Sequence, residues 1–172
     1  MLFRSLMDNC EGYRGLRDLA SLLRERGEPV EANYYDLLAA NTASGIVNKS
    51  FSVAGNAFTA SDAHPVPEAS FYPGATCQIY AQAFGVVELA PLFDAGWAYL
   101  NKAAVSWEDG RRDPYPWAIL GTVAAMRGDR VRAMMQMAAI ERTFASNRAL
   151  VTINELGFYQ RTKSLLAGST PV

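Results

Sequence analysis

The sequence predicts a mainly α-helical chain: about three antiparallel helical hairpins in two layers, with a short β-hairpin inserted. Three observations predict it. The first is a repeat. Residues 71–86, FYPGATCQIYAQAFGV, recur in altered form at 114–129, PYPWAILGTVAAMRGD. Tyr72 matches Tyr115, Pro73 matches Pro116, Ala75 matches Ala118, Ala81 matches Ala124 and Gly85 matches Gly128, always 43 positions apart. A fixed period of that length suits one helical hairpin with its loops. The second observation is that charge-poor segments of helical pattern alternate with charge-rich ones, as expected of an inner and an outer layer. The third is a stretch of different character, residues 45–70, which interrupts the helical pattern.

The first hairpin is expected over residues 12–44. Leu16, Leu19, Ala20, Leu22 and Leu23 recur at helical spacing, with Arg14, Arg17, Asp18 and Arg24 on the other side. Gly27 stops this helix and Pro29 opens the next, which carries Ala32, Tyr35, Leu38 and Ala39 and is expected to end near 41–44. A weaker third copy of the repeat falls at residues 13–27, one residue longer.

Residues 45–60 interleave Ile46, Val47, Phe51, Val53 and Phe58 with Asn, Ser, Gly and Thr, which reads as a β-hairpin or flap turning at Gly55-Asn56. Residues 61–70, SDAHPVPEAS, read as a loop. An insertion between helices either covers a binding face or merely connects.

The second hairpin is expected over 71–105, with a nearly uncharged helix at 73–84 and an amphipathic partner at 88–104. The third is expected over 112–145, with 116–127 apolar and 130–144 amphipathic. A closing helix over 148–167 carries Val151, Ile153, Leu156, Phe158 and Leu165 and is assigned to the inner layer with 73–84 and 116–127. Met134, Met135 and Met137 read as helix packing.

Composition limits the functions. The chain has 172 residues, half of them hydrophobic, and a net charge of −1. That is enough to form one packed domain. Lys and Arg are dispersed, so no basic stripe is present for nucleic acid. No apolar run approaches the ~20 residues of a membrane span. Residues 1–7 do not make a secretory signal, so with Met1 as native start the expected compartment is the cytoplasm. His64 is the only histidine, and Cys10 and Cys77 are isolated in sequence, so no metal site is expected. No GxGxxG or GK[ST] phosphate loop occurs, and no cofactor is expected.

The phrases ASFYPGATCQIYAQAFGV, DPYPWAILGTVAAMRGD and INELGFYQRTKSLL resemble the last hairpins of six-hairpin (α/α)6 toroid proteins, the glycosidase-like superfamily. The resemblance covers residues 12–166 and concerns the C-terminal half of such a ring, so the fold it implies is a partial α/α toroid. Full toroids need about twice this length. The chain is then either a fragment lacking an N-terminal half, or a reduced form that pairs with a second copy as a homo-oligomer.

The resemblance implies an oligosaccharide ligand, bound or hydrolysed at a rim built by loops before the inner helices. The matching positions are Tyr72, Tyr115 and Trp117, with Asp113 and the loop residues Asp62, His64 and Glu68. Aromatic rings offer flat apolar faces to sugar C–H groups. The alternative is that Tyr72, Tyr115 and Trp117 are packing anchors of the repeat. Glycoside hydrolysis needs two opposed carboxyl groups, for which Asp62, Glu68, Asp113 and Glu155 are candidates. Glu155 lies in an apolar helix, where burial raises a carboxyl pKa unless an Arg or a backbone N–H satisfies it. Asp113 has the competing role of a cap before Pro-Tyr-Pro. The alternative function is a non-catalytic helical-repeat module for protein–protein interaction.

Overall fold

A computed structural model describes residues 5–168, mainly helical with one two-stranded antiparallel sheet. The chain folds as two compact units, Met1–Ala103 and Ala104–Val172.

The first unit begins with a helical hairpin. Helix α1 (Leu6–Glu25) is capped by Ser5, whose hydroxyl accepts the Asp8 N–H. Gly27, at φ +79°, ends it, and Glu28 N–H returns to the Leu23 carbonyl at 2.9 Å. Helix α2 (Pro29–Ser50) follows, with Pro29 in its first turn, where no N–H partner is needed. It does not end near 41–44 but continues to Ser50. Ala32, Ala39, Ala43, Ile46 and Ser50 are all buried at helical spacing, so the apolar face carries the helix through Gly45. Packing outweighs the weak helix propensity of the Thr-Ala-Ser-Gly run.

The expected β-hairpin is present but minimal. Strand β1 (Phe51–Ser52) pairs antiparallel with β2 (Ala57–Phe58), Phe51 opposite Phe58, and the turn includes Asn56 at φ +45°. The side-chain amide of Gln78 holds this hairpin. Phe58 N–H donates to Gln78 Oε1 at 2.9 Å, and Gln78 Nε2 donates to the Phe58 carbonyl at 2.7 Å.

The segment expected as one helix over 73–84 is broken. A single wide turn (Phe71–Ala75) passes into a 3₁₀ turn (Thr76–Ile79) and then the short helix α3 (Tyr80–Ala83). Tyr72 is extended, at ψ 131°, and the Tyr72–Pro73 peptide bond is cis. The Gly74 carbonyl, which a regular helix would give to the backbone, accepts from the side chains of Gln78 and Cys77. The expected dry character holds: Ala75 through Ile79, Ala81 and Ala83 are buried. The partner segment is a 3₁₀ turn (Val87–Leu92) containing Pro91, followed by helix α4 (Phe93–Ala103). Leu6, Cys10, Tyr13, Ile46, Phe58, Cys77 and Leu89 share one core. Both cysteines are buried thiols.

The second unit contains α5 (Ala118–Met126), α6 (Arg130–Ser146) and α7 (Ile153–Leu166). Every residue of α5 from Ala118 to Ala124 is buried. Asp129 caps α6 and Thr152 caps α7. Thr122 and Thr162 hydroxyls meet at 2.9 Å between α5 and α7. The closing helix departs from its inner-layer assignment. Only Glu155 and Thr162 of α7 are buried, while Ile153 is 89% and Leu156 41% exposed. Two polar residues, Glu155 and Thr162, are its most buried positions, while Phe158 and Tyr159 are half-buried against Ala118, Ile140 and Val151, so hydrophobicity alone misplaces Ile153 and Leu156. The methionine run also departs: Met134 and Met135 are exposed.

The repeat survives best at helix C-termini. Val86 N–H bonds to the Ala81 carbonyl at 2.9 Å, and Asp129 N–H bonds to the Ala124 carbonyl at 2.9 Å. Gly85 and Gly128 stand between them at φ +65° and +75°. This is the same Schellman closure in each unit, repeated a third time at Gly27.

Candidate functional site

Four of the residues nominated from sequence meet in the second unit: Asp113, Tyr115, Trp117 and Glu155. Two segments supply them. The loop before α5 carries the first three, and the first turn of α7 carries Glu155.

Asp113 folds the loop onto itself. Its Oδ1 accepts the Tyr115 N–H at 2.7 Å, an Asx turn rather than a cap on α5. Trp117 takes left-handed backbone angles, φ +53°, which only a few per cent of non-glycine residues adopt. Gln136 of α6 supports this bend, donating from Nε2 to the Pro116 carbonyl at 2.5 Å. The Tyr115 and Trp117 rings pack edge to face, centroids 5.1 Å apart, both half-buried.

The bend aims the first N–H of α5 at Glu155. Ala118 N–H donates to Glu155 Oε2 at 2.5 Å. Glu155 is 2% exposed. Burial pushes its carboxyl above the ordinary carboxylate range, and the bonds from Ala118 N–H and the Tyr115 hydroxyl only partly offset that. Burial also raises the Tyr115 phenol. The Tyr115 hydroxyl lies 3.5 Å from Thr152 Oγ1, and the Asn154 side chain also bonds it.

Both carboxyl groups are therefore engaged by the fold. Glu155 fastens the positive end of α5 to α7, and Asp113 fastens its own loop. Thr152 and Asn154 were not nominated from sequence. Thr152-Ile-Asn-Glu155 has the Ser/Thr-x-x-Glu spacing of a capping box, and that signal would have located them. Glu155 N–H indeed donates to Thr152 Oγ1, but the Glu155 side chain crosses to α5 instead of returning to its own helix.

The other nominated residues belong to the first unit. Asp62 and His64 are exposed, and His64 N–H bonds to the Ser61 carbonyl at 3.3 Å. Glu68 accepts from the Ser70 hydroxyl at 3.3 Å, and its carbonyl lies 2.2 Å from where a Cβ on Gly74 would stand. Tyr72 is 53% exposed. Among the described residues no cluster of three or more His, Cys, Asp or Glu side chains could hold a metal, and no helix is long and apolar enough to cross a membrane.

A second polar cluster in the first unit was not anticipated. Tyr13 hydroxyl donates to Glu88 at 2.7 Å, and Arg17 reaches both Glu88 and Asp36. Arg24 also pairs with Asp36. These bonds tie α1 to α2 and to the turn before α4. The Arg24 and Arg17 guanidiniums hold the Asp36 carboxyl below its ordinary value. No family model, curated protein or solved structure matches the chain.

Proposed function

We propose that the Tyr115–Trp117 corner is a carbohydrate-binding platform, and that the chain is the binding part of a carbohydrate-active helical-hairpin protein. The observation that carries this reading is the pair of half-buried rings at 5.1 Å, edge to face, held by an Asx turn at Asp113 and a left-handed residue. Rigid aromatic faces lose little entropy on binding and suit the apolar faces of sugar rings. Thr152 and Asn154, both exposed, stand beside the Tyr115 hydroxyl and offer partners for sugar hydroxyls.

The reading is binding rather than hydrolysis. Cleavage needs two carboxyl groups facing each other across the substrate, ~5–9.5 Å apart. Glu155 is bonded to Ala118 and Asp113 to Tyr115, so both act as positioning residues. Titration of the purified chain with a panel of oligosaccharides tests the proposal. Trp117→Asn is the informative variant, because Asn tolerates left-handed angles while removing the ring. Wild type binds at least one class of glycan, and Trp117→Asn loses at least tenfold in affinity while keeping its circular dichroism. Absence of glycan binding by wild type, or equal binding by the variant, overturns it.

A further inference from the structure

The second unit carries an open seam that the sugar reading does not use. Helices α6 and α7 leave a cleft of about 470 Å³ whose floor includes Met134, Met137 and Leu166. Arg130 stands at one end of it, beside Leu166, and Lys163 lines it about one turn in along α7, on the Arg130 side of Glu141. Neither has a carboxylate partner among the described residues: Arg130 donates to the Leu166 carbonyl, and Lys163 has no acceptor. Toward the other end the Tyr159 hydroxyl donates to Glu141 at 2.5 Å. Beyond that bond a smaller apolar cavity of about 250 Å³ opens beside Ile140 and Phe144.

The first unit carries a complementary ridge. The face of α2 opposite its buried Ala32, Ala39 and Ala43 presents Val30, Tyr34 and Leu37, exposed by 84%, 57% and 58%. Their spacing, four then three, is that of a helix–helix seam. Asn41 continues the same line four residues on. Glu28 and Glu31, both exposed, flank its start. From Val30 to Asn41, and from Arg130 to Glu141, each helix runs eleven positions, roughly 16 Å at 1.5 Å per residue.

We propose that α2 of one copy docks in the α6–α7 cleft of a second copy, parallel to α6. Glu28 and Glu31 then meet Arg130 and Lys163. Val30, Tyr34 and Leu37 cover Met134 and Met137, and the Asn41 amide meets the Glu141–Tyr159 pair. Charge complementarity selects this occupant and its direction. Two carboxylates stand at the start of the ridge, and both cations of the cleft lie on the Arg130 side of Glu141, so the parallel arrangement pairs opposite charges. The antiparallel arrangement would bring Glu28 and Glu31 toward Glu141, carboxylate against carboxylate. The contact joins two different surfaces, so it is heterologous: it leaves one ridge and one cleft open at the ends and propagates into rings or chains.

Sedimentation velocity of the full chain tests this through mixing. Wild type forms assemblies that grow with concentration. Leu37→Asp spoils only the ridge and Met134→Asp only the cleft, so each alone is monomeric. Mixed, the two form a 1:1 dimer through the one intact ridge and the one intact cleft. Lys163→Glu weakens association at least tenfold, and copies bearing Glu31→Lys restore it. Circular dichroism confirms that each variant is folded, with Tyr34→Asp replacing Leu37→Asp if the latter is not. A monomeric wild type at all concentrations overturns the proposal. So do continued association of either folded variant alone, and a mixture that stays monomeric.

Discussion

Glu155 and Ala118 are 37 residues apart in sequence, yet the Glu155 carboxyl accepts the first N–H of α5 at 2.5 Å in a site closed to solvent. One bond thus fixes the start of the most buried helix of the second unit to the first turn of α7. Glu155→Ala leaves that N–H buried with no acceptor, which costs about 1–3 kcal/mol. Glu155→Gln keeps a carbonyl oxygen in place and loses less than Glu155→Ala. Urea unfolding followed by circular dichroism ranks the three proteins; equal midpoints for wild type and Glu155→Ala would show that the bond adds nothing.

The same carboxyl predicts a pH dependence. Burial holds its folded pKa above the unfolded value, so the folded state retains the proton longer. Its contribution is fully present below the ordinary carboxylate pKa and is lost as pH rises through the raised folded value. Asp36 works in the opposite sense, because Arg24 and Arg17 depress its pKa; its contribution is present above the ordinary value and fades as pH falls through the depressed one. Subtracting Glu155→Gln from wild type isolates the first effect. The stability difference moves against wild type as pH rises from the ordinary carboxylate range toward neutrality. A pH-independent difference contradicts the assignment.

Gln78 is the equivalent fastener of the first unit. It is 2% exposed, and its amide bonds both the N–H and the carbonyl of Phe58. Replacement by Leu leaves two backbone groups without those bonds, at about 1–3 kcal/mol each. Gln78→Glu keeps the acceptor but loses the amide donor to the Phe58 and Gly74 carbonyls and places a carboxyl in a site closed to solvent, so its cost includes that burial as well as the lost bonds. Hydrogen exchange is the direct reading: the Phe58 amide loses protection in Gln78→Leu, while amides of α6 in the other unit are unchanged.

Two kinds of glycine separate under alanine substitution. A Cβ on Gly12 or Gly15, within α1, meets nothing within 4 Å. Gly12→Ala and Gly15→Ala each raise stability by roughly 0.5–1 kcal/mol, the helix-interior difference between the two residues. A Cβ on Gly96 would lie 2.3 Å from the Gln78 carbonyl. Gly96→Ala therefore forces α4 away from the segment that holds the β-hairpin. Thermal midpoints rise for the first two and fall for the third; a neutral Gly96→Ala would mean that the two segments are not held together.

How much was legible in the sequence follows from these contacts. Helix class, the α1–α2 turn at Gly27, the Gly55-Asn56 turn and the dryness of α5 were readable, because capping, turn chemistry and hydrophobic runs are local. The end of α2 was not, since it depends on Ile46 and Ser50 packing into the core. The break at residues 71–79 was hidden because Gln78 spends its amide on Phe58 and Gly74, a use that no local pattern announces. At the site, Tyr115, Trp117, Asp113 and Glu155 could be nominated by type. Their meeting depends on a loop bend at Trp117 and a bond across 37 residues. The outward turn of Ile153 ran against hydrophobicity, because the side of α7 facing α5 is shared by Glu155 and Thr162 with Phe158.

Gly27, Gly85 and Gly128 all have φ between +65° and +79°, and each ends a helix with the following N–H returned five residues back. Left-handed backbone costs an alanine about 1–2 kcal/mol, and the surroundings are open: a Cβ meets nothing within 4 Å at Gly27 or Gly128, and only the Arg14 guanidinium at 3.9 Å at Gly85. Substitution by Ala should then cost nearly the same at all three, since backbone strain is the whole effect. Asn, which tolerates this conformation better, should recover part of the loss at each. Denaturant unfolding of the six variants decides it. Matching costs would mean that the three glycines share one way of ending a helix, whereas unequal costs would mean that they answer to their different neighbours.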